Sequence, residues 1–89
     1  MNRALAVASG VIAAIVLAAG KTAQAIEVFE KNVKVRPASW NVCDSLAEAR
    51  EKNGETKAAI AGYEKAFSIV KDDANRTRIT NTIAKLKVR

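Results

Sequence analysis

Gly20-Lys21-Thr22-Ala23-Gln24-Ala25-Ile26-Glu27-Val28-Phe29-Glu30-Lys31 returns thirty-four residues later as Gly54-Glu55-Thr56-Lys57-Ala58-Ala59-Ile60-Ala61-Gly62-Tyr63-Glu64-Lys65. Gly, Thr, Ala, Ile, Glu and Lys recur unchanged, and Phe29 recurs as Tyr63. A fixed period of this length marks stacked helix–turn–helix units, each of which buries its apolar face only against a neighbour.

Working outward from the block, residues 21–35 predict a helix, with Ala25, Ile26, Phe29 and Val33 on one face. Glu27–Lys31 and Glu30–Lys34 are expected as i,i+4 pairs, each worth about 0.2–0.5 kcal/mol. Pro37 ends this helix, because the residue before a proline is biased away from helical angles. Ser39 is the expected N-cap of the next, over residues 40–52, whose apolar positions are Val42, Cys43, Leu46, Ala47 and Ala49. Asn53-Gly54 closes that helix, since glycine takes the left-handed conformation cheaply. Residues 56–70 predict a helix burying Ala59, Ile60, Tyr63, Ala66, Phe67 and Val70. Asp72-Asp73 caps a final helix over 74–88, with Ile79, Ile83 and Leu86 as its apolar stripe and basic residues elsewhere. Such a helix, with one apolar and one charged face, suits the end of a solenoid.

Residues 4–20 carry no charge. They fit three descriptions. As a signal peptide they follow the basic Met1-Asn2-Arg3 and precede an A-x-A site at Ala23-Gln24-Ala25. As a membrane anchor they reach the lower edge of a spanning length. As the first helix of the array they place Ile12-Ala13 one period before Leu46-Ala47, and Gly20 at the turn that Gly54 occupies. The protein is cytoplasmic on the last description and membrane-anchored or exported on the other two. A helix apolar all round needs cover on every side, so two chains stacking their first helices in a symmetric dimer is a further expectation.

The chain of 89 residues has a net charge of +6, a single cysteine and no histidine. This length allows one small domain with a thin stability margin. From Lys71 onward, six basic residues stand against Asp72 and Asp73, so most of the excess charge lies at the C-terminus. That segment lacks interleaved aromatics, which argues against nucleic acid and for a solvated cap. Cys43 alone forms no intrachain disulfide or thiolate cluster. Without histidine it also lacks the usual base for a nucleophile. Asp44, Glu48 and Glu51 share a helical spacing, but without His or Cys beside them they make a poor metal site. No cofactor, metal or catalytic set is expected.

The residues Leu46-Ala47, Gly54, Ala59, Tyr63 and Ala66, with Ile12-Ala13, Gly20, Ala25, Phe29 and Pro37 one period earlier, resemble the tetratricopeptide repeat family over residues 6–71. The chain departs from that pattern at Asn32, Cys43, Arg50 and Lys71. The run 41–49, Asn-Val-Cys-Asp-Ser-Leu-Ala-Glu-Ala, is similar to bacterial tetratricopeptide tails fused to larger proteins, including serine hydrolases of the β-lactamase type. The resemblance implies an all-α fold of antiparallel hairpins stacked as a short solenoid. Its parts are a first repeat over 1–37, a second over 38–71 and a basic capping helix over 72–89. It implies a non-catalytic scaffold or adaptor that binds a protein or peptide, the alternatives being an anchored or exported small protein and the accessory tail of a hydrolase. Family members hold extended peptides on the face lined by the first helix of each repeat. Here that face carries Asn41, Asp44, Ser45, Glu48, Glu51 and Lys52, and its acidity favours a cationic or neutral segment, unless the charges only solvate the helix. Trp40 is either an anchor for the partner or a core side chain, core packing being the expectation.

Overall fold

The computed structural model describes residues 21–88. They form four helices: α1 (Thr22–Val35), α2 (Trp40–Lys52), α3 (Thr56–Ile69) and α4 (Asp73–Lys87). Each packs against its neighbours in chain order, α1 on α2, α2 on α3 and α3 on α4. The fold of the described residues is therefore an all-α stack, compatible with a tetratricopeptide-like array. Of the five helices expected, the first, over residues 4–20, lies outside the described residues, and so do the signal, anchor and dimer expectations that rest on it. No helix among the described residues is long and apolar enough to cross a membrane.

Local chemistry explains where the helices begin and end. Ser39 has extended backbone angles, and its Oγ accepts from the Val42 N–H at 3.4 Å. Asp72 does the same for α4, accepting from the Asn75 N–H at 3.0 Å. These caps satisfy donors that a helix N-terminus otherwise leaves unpaired. By contrast, α1 and α3 begin without a side-chain cap. Between α2 and α3 the chain turns on Gly54, at φ 81°. The Gly54 N–H donates to the Glu51 carbonyl at 3.0 Å and the Glu55 N–H to the Arg50 carbonyl at 2.9 Å. This is the Schellman arrangement, which needs a left-handed residue at its centre. The third helix stops one residue short of expectation: Val70 leaves helical geometry at ψ 141°, and its side chain turns into the core instead.

The larger core cluster joins Cys43 and Ala47 of α2, Ala59, Tyr63 and Ala66 of α3, Val70, and Ile79 and Leu86 of α4. Ile79, Leu86 and Val70 are its largest fully buried side chains, each worth about 1.5–3 kcal/mol of apolar burial. A second cluster places Ala25 and Phe29 of α1 on Ala49 of α2, flanked by half-buried Ile26, Val28 and Leu46. The pairing α2–α3 is close because Gly62 lacks a side chain. A Cβ there would lie 2.9 Å from the Cβ of Ala47.

The expected charge pairing along α1 is corrected by the packing. Glu30 reaches Arg50 on α2 at 2.9 Å rather than Lys34 on its own helix. A guanidinium from the next helix offers directional N–H donors, which the mobile ammonium one turn away does not. Of the basic residues of the last helix, Arg78, Lys85 and Lys87 are exposed and Arg76 is half-buried. Arg76 lies over the Phe67 ring, 4.1 Å from its centroid. It also donates to the Val70 carbonyl at 2.9 Å and the Phe67 carbonyl at 3.3 Å. It thereby neutralises the carbonyl end of α3, where positive charge is favoured. Lys87 approaches Glu64 of α3 at 3.8 Å.

Candidate functional site

The helix α2 runs between two grooves. One lies where α2 and α4 flank α3. Asp44, Glu48, Glu51 and Lys52 come from α2, Tyr63 from α3, and Arg78, Thr82 and Lys85 from α4, around a volume of about 590 Å³. Four of the residues singled out in the sequence, Asp44, Glu48, Glu51 and Lys52, are thus brought together. They recur at three- and four-residue intervals along α2, which places them on one face. Asn41 and Ser45 do not line the groove: Asn41 is exposed one turn nearer the helix start, and Ser45 is half-buried. Trp40 is half-buried against the larger core cluster, as the core expectation had it.

The contributions of α3 and α4 change the electrostatics. The Arg78 Nη2 donates to Asp44 Oδ2 at 2.9 Å, with the Asp44 side chain 13% exposed. The Tyr63 hydroxyl donates to Glu51 Oε1 at 2.9 Å. Burial, that hydrogen bond, and the negative charges of Glu51, Asp44 and Glu48 all push the Tyr63 pKa up, so the phenol stays protonated. The groove holds three carboxylates and three cationic side chains. The acidic face read from α2 alone is therefore one wall of a charge-balanced groove, and the expectation of a cationic or neutral segment was drawn from that wall alone. Glu48, Lys52 and Lys85 line it without an ion pair of their own among the described residues.

Arg78 is the residue that attention to α2 alone misses. A signal for it exists: Asp44 and Arg78 are thirty-four positions apart. That is the spacing that separates Phe29 from Tyr63 in the repeated block.

The other groove opens between α1, α2 and α3, with a volume of about 620 Å³. Its lining is mostly apolar, from Val33, Cys43, Leu46, Ala58, Ala61 and Gly62, with Glu30, Lys34, Arg50 and Lys65 as its charged members. Cys43 is buried, and its Sγ faces the Pro37 carbonyl oxygen at 3.9 Å, in keeping with a small apolar core residue. Among the described residues no three metal-ligating side chains converge. Comparisons of the chain with protein-family models, with curated proteins and with solved structures find no match.

Proposed function

We propose that this chain is a non-catalytic protein-interaction module built on tetratricopeptide-like repeats, and that the groove between α2 and α4 holds an extended peptide segment of neutral or mixed charge. The observation that carries this is the Asp44–Arg78 pair, which bridges α2 and α4 across the face of α3. Their outward faces then form one open channel floored by Tyr63. Within it Asp44 and Glu51 are engaged by Arg78 and Tyr63, while Glu48, Lys52 and Lys85 are left to meet a ligand. Opposite charges spaced along a groove read the order of charges on a partner and set specificity more than affinity. The chemistry favours holding over turnover: the thiol is buried, the phenol is kept protonated, and the chain contains no histidine.

Selection of a random displayed peptide library on the full chain tests this, with the winners re-measured on the charge-swapped variant Glu48→Lys/Lys52→Glu. Both positions are exposed, so the fold and net charge are retained. Enriched peptides are expected to bind the variant about tenfold more weakly, equivalent to ~1.4 kcal/mol. Absence of enrichment, or equal binding to both proteins, refutes the groove as the site.

A further inference from the structure

We propose that the apolar groove between α1, α2 and α3 is a second docking site, whose partner is an amphipathic helix bearing carboxylates on both sides of its apolar stripe. The site is separate from the α2–α4 groove and stands or falls independently of it.

The floor is shaped by what is missing. Gly62 has no side chain, and Ala58 and Ala61 have little, so α3 lines the groove with small residues at these positions. Leu46 and Val33 remain half-exposed within the groove. Their apolar surface is in contact with water, and its burial by a partner is favourable at about 25 cal/mol per Å². The space of about 620 Å³ suits large side chains from a partner, within the range of ordinary ligand clefts.

The charged lining residues specify the partner's charge. Glu30 and Arg50 neutralise one another across α1 and α2 at 2.9 Å. What remains is Lys34 on the α1 wall and Lys65 on the α3 wall, both exposed and, among the described residues, in no ion pair. Two cations, one from each of the helices α1 and α3 that line an apolar trough, call for an occupant with an apolar centre and an anion on either flank. A helix supplies that pattern, with anchors at i, i+3, i+4 and i+7 and polar residues on both sides of the stripe. An extended strand does not, because its side chains alternate between two opposite faces. The chain's own residues 4–20 contain no acidic residue and leave both lysines unanswered.

The test uses the full chain and two labelled designed peptides. Both carry leucines at i, i+3, i+4 and i+7; one has glutamates on both flanks and the other lysines. Fluorescence anisotropy at low salt is expected to show the glutamate peptide binding about tenfold more tightly, with the preference shrinking as salt is added. Lys34→Glu/Lys65→Glu is expected to reverse the order, while Glu48→Lys/Lys52→Glu in the other groove leaves it unchanged. Ala61→Trp, a plug at an exposed position, is expected to abolish binding with the helical circular dichroism retained. Equal binding of the two peptides, binding of neither, or a dimer in sedimentation that Ala61→Trp dissociates would overturn the proposal, the last by showing that a second copy fills the groove.

Discussion

The helices α1 and α3 stand one period apart and are alike where they meet α2, but they differ where they face the rest of the chain. Ala25 and Ala59 are both fully buried, and so, within a few per cent, are Phe29 and Tyr63. Elsewhere the two helices diverge. Ala66 is buried in the core, whereas its counterpart Asn32 is only half-buried, and Val70 is buried where Arg36 is exposed. Gly62 touches Ala47 where α1 has Val28. The repeated positions build a hairpin, and the divergent ones decide what the hairpin meets next. Among the described residues α3 is packed from both chain directions, by α2 and by α4, while α1 is packed by α2.

Three experiments separate the shared from the divergent positions. The largest effect is expected from Ile79→Ala, which empties the fully buried anchor of α4 on α3. Such truncations cost about 2–5 kcal/mol, a large share of the stability of so small a domain. A urea midpoint lowered accordingly, and by more than for Ile26→Ala on half-buried α1, is expected. Equal losses at the two sites would abolish the contrast between the helices. Next comes Gly62→Val, which gives α3 the residue α1 carries at Val28. Because the first added carbon already collides with Ala47, overpacking is expected to cost about 1–3 kcal/mol. An unchanged midpoint would mean that α2 and α3 are free to part there.

The smallest effect is expected from Tyr63→Phe, which makes α3 match Phe29. Loss of the hydrogen bond to Glu51 is expected to cost about 0.5–1.5 kcal/mol. It should also alter the pH dependence. In the fold the phenol pKa is raised from 10.0, whereas in the unfolded chain it is ordinary. Below about pH 9 both states keep the proton and this group gives no slope. Above about pH 10 only the unfolded state releases it, so stability falls by up to about 1.4 kcal/mol per pH unit. Urea midpoints taken across that range should show the decline in the wild-type chain and its reduction in Tyr63→Phe. Parallel curves would remove Tyr63 from the account.

The contrast also explains which features were legible from the sequence. Helix limits follow from local devices, namely Pro37, the caps Ser39 and Asp72, and the left-handed Gly54, and all four described helices lie within a residue or so of expectation. Buried positions of α3 follow from its spacing and from the repeat. The polar couplings were harder to foresee. Whether Glu30 meets Lys34 or Arg50 depends on how α1 lies on α2, and that contact is packed by Ala25, Phe29 and Ala49 rather than by charge. The charge of the groove as a whole is hidden for the same reason, since two of its three cations, Arg78 and Lys85, arrive from α4.

Within the described stack, helix-to-helix packing joins only consecutive elements, and this bears on how the chain acquires its structure. No distant segments have to find each other before stabilising contacts form, so the entropic cost of closing long loops is avoided. A topology of this kind folds quickly for its stability. It also tolerates growth: copying one thirty-four-residue unit adds a neighbour at the end of the row without requiring the units already in place to be rearranged.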